Sequence, residues 1–65
     1  MNPTVRELVA FGRFPYSGNH LTAADHEMIG KAIAYMELQD FEDRFIDELS
    51  GGQRQRAYIA MVIAQ

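Results

Sequence analysis

The chain has 65 residues, 9 acidic against 6 basic side chains for a net charge of −3, and no cysteine. That length holds one domain at most, burying only about 60% of its unfolded surface, and with no thiols neither a disulfide nor a thiolate metal site can staple it. The acidic balance excludes a nucleic-acid arm, because backbone phosphates demand a basic footprint.

No signal peptide is present, and no apolar stretch reaches the ~20 residues a membrane span requires. The expected location is cytoplasmic. His20 and His26 lack partners at metal-ligand spacing, so no metal site is predicted. Between residues 22 and 49 eight acids stand against Lys31 and Arg44, a balance of −6. A solvated face accounts for that run without a ligand.

Thr4 and Glu7 form a capping-box pattern, with Pro3 restricting the approach of the chain. Val5, Leu8, Val9 and Gly12 follow at i, i+3, i+4 and i+7, one stripe of a helix at about residues 4–12. Gly12 is the expected stop, because the segment from Phe14 to Asn19 is dense in turn formers. Phe11, Phe14 and Tyr16 cluster around Arg13. Two readings are open: the aromatics fold back on the core, or they form an exposed aromatic-basic docking patch.

Thr22 caps a second helix, with Asp25 adding a favourable charge near its N-terminus. Ile29, Ala32, Ile33 and Met36 repeat the helical spacing, which predicts a helix over about 22–38 with Met28 and Met36 on its core stripe. Gly30 weakens that helix and suggests a close helix crossing. A short helical turn is expected at about 41–44, with Phe41, Phe45, Ile46 and Leu49 pinning the segment down.

The chemistry concentrates at Ser50-Gly51-Gly52-Gln53. The plain reading is the start of a helix over about 51–65, with Ser50 as N-cap and Gln53 completing a capping box. The sharper reading is an anion site at the positive end of that helix. Two consecutive glycines favour the second, because each costs roughly 0.5–1 kcal/mol against alanine in a helix. A helix start gains nothing from them, whereas a phosphate approaching the backbone does. From Ala57 to Ala64 the helix is apolar without interruption. A helix without a polar face needs burial on every side, more cover than three short helices provide, so a piece of a larger protein is expected. The predicted class is all-α, a small unit of three to four helices.

Leu49-Ser50-Gly51-Gly52-Gln53, continuing into Arg54-Gln55-Arg56, resembles the LSGGQ signature motif of ATP-binding cassette (ABC) transporter ATPases. The likeness covers the whole chain. Thr4 to Val9 together with Gly12 to Tyr16 is similar to the start of the helical subdomain in importer ATPases for iron–siderophores, haem and cobalamin, above all the catecholate-siderophore branch. The resemblance implies the helical subdomain (residues 1–65) of a larger α/β P-loop ATPase, peripheral on the cytoplasmic face of the membrane. In such ATPases two subunits sandwich two ATP molecules head to tail, and the signature motif of one closes over the ATP held by the other.

Carried onto this chain, the resemblance implies that Ser50 offers its hydroxyl to the γ-phosphate. Gly51 and Gly52 offer backbone N–H groups, and Gln53 holds the loop or reaches the nucleotide. Arg54 and Arg56 add electrostatic support or hold the helix to its neighbours. Val5, Phe11, Arg13, Phe14 and Tyr16 become the candidates for docking on the transmembrane permease subunits. ATP and Mg2+ are implied for the full-length dimer. The chain has no Walker A pattern, so the 65 residues alone are expected to be inactive and to associate with themselves through the last helix. The rival reading is a stand-alone helical protein-interaction module with no nucleotide role.

Overall fold

Thr4 starts the first helix, α1 (Val5–Ala10), with a complete capping box. Thr4 Oγ1 accepts from the Glu7 N–H at 3.1 Å, and Glu7 Oε1 accepts from the Thr4 N–H at 2.8 Å. A distant segment satisfies the other first-turn amides. Val5 N–H donates to Arg44 O and Arg6 N–H to Glu42 O, both at 2.9 Å. Ile46 N–H donates to Pro3 O at 2.9 Å, and Thr4 and Phe45 form an isolated antiparallel bridge. Every donor of the first turn of α1 therefore has an acceptor. The computed structural model describes residues 2–17 and 20–65, with residues 16 and 17 described by backbone alone.

Beyond α1 the path departs from the sequence expectation. Gly12 does not end the helical path: a 3₁₀ turn (Phe11–Arg13) leads into a four-residue helix, α2 (Phe14–Ser17). Pro15 explains the tightening. It has no N–H to give to Phe11 O four residues back, and that carbonyl accepts from the Phe14 N–H instead.

Thr22 caps α3 (Ala23–Tyr35), which stops short of the expected residue 38. Glu37 adopts a left-handed conformation with φ 58°. Leu38 N–H reaches back to Ile33 O at 2.9 Å and Glu37 N–H to Ala34 O at 3.0 Å. That is a Schellman stop, closed by contact between two buried side chains, Ile33 and Leu38. The turn expected at 41–44 is present, closed by Arg44 N–H to Phe41 O at 2.9 Å, and 3₁₀ turns lie at Gln39–Phe41 and Ile46–Glu48. The Glu42 and Arg44 carbonyls leave the helical pattern and serve α1.

The last helix, α4 (Gly51–Ile63), packs on both α1 and α3, which also pack on each other. Val5, Val9, Ile29, Ile33 and Leu38 form the centre of the core. α4 presents only small side chains to it, Ala57, Ala60 and Ala64, with Met61 partly covered. Its larger apolar residues, Tyr58, Ile59, Val62 and Ile63, face outward. The chain thus leaves one face of α4 uncovered, as its apolar run beside only short helices led us to expect. Met28 and Phe45, expected in the core, are exposed as well, whereas Phe41, Ile46 and Leu49 do pin their segment. The expected close crossing at Gly30 is empty: no described atom beyond its chain neighbours and the adjacent backbone of α3 lies within 4 Å of where its Cβ would stand. The close approach falls at buried Gly12, whose Cβ would collide with the Met61 carbonyl oxygen. Among the described residues no helix is long and apolar enough to cross a membrane.

Candidate functional site at the N-terminus of α4

Leu49 is buried and anchors the loop, and extended backbone at Ser50 (φ −63°, ψ 165°) turns the chain into α4. Ser50 Oγ accepts from the Gln53 N–H at 3.1 Å, and Gln53 Oε1 accepts from the Ser50 N–H at 3.0 Å. Gln53 thus holds the loop. The first helical bond runs from Arg54 N–H to Ser50 O at 2.9 Å. Ser50, Gly51 and Gly52 are exposed.

The Gly51 and Gly52 amides find no acceptor among the described residues. Apart from chain neighbours and the adjacent backbone of α4 itself, nothing described lies within 4 Å of a Cβ built on either glycine. Packing among the described residues therefore does not require glycine there. α3 supplies an internal comparison: the same two positions after its capping Thr22 are Ala23 and Ala24, the better helix formers. The site offers a hydroxyl, two open amides and the positive end of a 13-residue helix, which suit an anion. Among the described residues no group of three or more His, Cys, Asp or Glu side chains could hold a metal ion.

The flanking arginines differ. Arg54 Nη2 donates to Leu49 O at 3.5 Å, a long bond that steadies the loop. Arg56 is half-buried, and its Nε has no hydrogen-bond partner among the described residues.

The predicted docking residues do not form one surface. Phe11 and Phe14 are exposed (46% and 42%) and meet edge to face, ring centroids 5.2 Å apart. Val5 is fully buried in the core. Arg13 is turned inward, with Nε donating to Asp25 Oδ1 at 3.0 Å and Nη1 to Ala64 O at 2.8 Å. The side chain of Tyr16 lies outside the described residues.

Sequence reasoning missed the role of Asp25. It is 2% exposed, accepts from the Thr22 N–H at 2.8 Å and the Thr22 hydroxyl at 2.9 Å, and pairs with Arg13. The available signal was an acid three residues after a capping threonine, whereas its pairing with Arg13, twelve residues earlier, emerges only from the fold. Elsewhere, Thr4, Arg6, Glu7, Leu21, His26 and Ile29 help line a groove of about 350 Å³ between α1 and α3. None of the residues predicted for nucleotide contact or docking lines it.

The petrobactin import ATP-binding protein FatE of Bacillus anthracis is 60% identical over 62 residues, covering 95% of this chain and 25% of its own length. The ferric enterobactin transport ATP-binding protein FepC of Escherichia coli is 47% identical over 64 residues, covering 95% of this chain and 24% of its own. The chain thus spans about a quarter of the length of the curated relatives it matches. An ABC transporter solved in an inward-facing conformation, and described as of metal-chelate type, superimposes with a TM-score of 0.91 at 30% identity, covering 98% of this chain and 26% of that one. The defining pattern of the family described as ABC transporter matches residues 2–65, and the chain belongs to that family.

Proposed function

We propose that the chain is the helical subdomain of the ATP-hydrolysing subunit of an ABC importer, and that the N-terminus of α4 closes over ATP held by a second such subunit. The observation that carries this reading is the pair of glycines at the first two positions of α4. Both are exposed, both leave their amides open, and neither is required by packing among the described residues. A γ-phosphate approaching from outside supplies the reason for their small size. Ser50 Oγ is spent as an acceptor toward Gln53, which leaves its hydroxyl hydrogen to donate outward. Gln53 acts by holding the loop.

Phosphoryl transfer concentrates charge on the γ-phosphate oxygens, so preorganised amides and a helix dipole at that place lower the barrier. With no Walker A sequence in the chain, the phosphate cradle and the Mg2+ ligands belong to other parts of the subunits. The names of the relatives, petrobactin and ferric enterobactin import, support ferric siderophores as the transported class. Phe11 and Phe14, exposed beside each other, are the candidates on this chain for docking the transmembrane subunits. The predicted location is peripheral, on the cytoplasmic face of the membrane.

The test is Gly52→Asp in the full-length subunit. A carboxylate at this position repels the γ-phosphate and fills its space, and ATP hydrolysis is expected to fall by about 10²-fold or more. Hydrolysis at the wild-type rate removes the nucleotide role.

A further inference from the structure

The turn from Phe11 to Phe14 faces two ways. Its outer residues present the exposed aromatic pair. Its inner residues grip the end of α4. Gly12 lies so close to the Met61 carbonyl that no side chain fits between them, and Arg13 Nη1 donates to Ala64 O at 2.8 Å. Ala64 is the C-cap of α4, at the end where carbonyls lack helical partners and the dipole is negative. On its other edge the same guanidinium is fixed by Asp25, whose carboxylate accepts two bonds from Thr22 at the start of α3. One arginine thereby joins the aromatic turn, the N-terminus of α3 and the C-terminus of α4.

We infer that Arg13 is a positioning residue that, with Gly12, passes displacement of the Phe11–Phe14 edge into α4 and so to Ser50, Gly51 and Gly52 at its far end. The inference rests on the docking and nucleotide reading above. α4 spans 13 residues, a rod of roughly 20 Å at 1.5 Å per residue. Pushing one end of such a rod moves the other, provided the joint has no slack. A joint cushioned by flexible side chains absorbs movement. This joint is backbone against backbone at Gly12 and a charge-assisted bond from Arg13 to Ala64 O. Lysine cannot reproduce it, because a single ammonium group lacks the planar fork that reaches Asp25 and Ala64 together.

The test uses a full-length ATP-binding subunit carrying this segment, assembled with its permease subunits in liposomes. The readout is the ATPase rate of the complex divided by that of the free subunit, alongside the melting midpoint of each variant. Phe14→Ala and Arg13→Lys are each expected to lower the ratio by about three- to tenfold. The double variant should fall no lower than the worse single, because both cut one route.

A normal ratio for Arg13→Lys beside a lowered one for Phe14→Ala overturns the inference and leaves docking intact. A normal ratio for Phe14→Ala instead overturns the docking reading. Equal loss in free subunit and complex, or multiplicative losses in the double variant, also overturns the inference, since Arg13 then only supports the fold or acts separately. Where Arg13→Lys melts below the assay temperature, Asp25→Asn replaces it, keeping the shape while removing the charge partner, and the same ratios decide.

Discussion

Glycine residues give opposite forecasts at the two ends of α4. Gly51 and Gly52 have open space where a Cβ would stand, so Gly51→Ala should stabilise the isolated chain by a few tenths to about 1 kcal/mol. In the full-length subunit the same change should slow ATP hydrolysis by crowding the γ-phosphate. Urea unfolding and a steady-state ATPase assay measure the two halves, and a gain in stability without loss of activity would return the glycines to an ordinary helix start. Gly12→Ala should do the reverse, costing about 1–3 kcal/mol by forcing the backbone away from Met61, visible as a lower urea midpoint. The sequence could not distinguish these glycines. Composition marks a residue without a side chain, but only the placement of a second helix decides whether that absence is needed. Gly30, expected at a crossing, faces open space, and Gly12, expected as a stop, carries the crossing. Arg13 was obscured for the same reason, because the acid and carbonyl it binds are 12 and 51 residues away.

Helix starts were legible because each depends on residues three apart. The capping boxes at Thr4, Thr22 and Ser50 are all present. Helix ends were less so. α3 stops at a left-handed Glu37 with no glycine to announce it. What closes the stop is the pull of Leu38 into the core against Ile33, and burial outweighs the conformational penalty. That penalty, about 1–2 kcal/mol for a residue with a Cβ, is partly recoverable. Glu37→Gly should raise stability by up to about 1 kcal/mol after the extra freedom of glycine in the unfolded chain is subtracted. The side chain is exposed, so no contact confuses the reading. Thermal melting of the pair measures it, and a lower midpoint for the glycine variant would mean that Glu37 makes a stabilising interaction of its own. The middle segment shows the opposite limit. Residues 42 to 46 form a short, mixed run whose Glu42 and Arg44 carbonyls serve α1 and whose Ile46 N–H serves Pro3, a non-local demand invisible in a short window.

For the molecule as a whole, the apolar run of α4 announced more burial than the chain provides, and the structure locates the excess. Alanines face inward, while Tyr58, Ile59, Val62 and Ile63 form an outward stripe, with Val62 59% exposed. Such contiguous apolar surface marks a contact face, and relatives about four times as long have ample chain to cover it. Isolated from that cover, the 65 residues should self-associate through this stripe. Sedimentation velocity over a hundredfold concentration range is expected to show a rising average mass. The double variant Ile59→Lys with Val62→Glu should restore a single monomeric species. Both sites are exposed, so each change should alter folding stability by no more than about 0.5 kcal/mol, and circular dichroism should show unchanged helix content. Loss of association would then report the removal of a contact surface. A wild-type chain that stays monomeric at the highest concentration would mean that α4 hides its stripe without help, and the stripe would cease to be an interface with the rest of an ATPase.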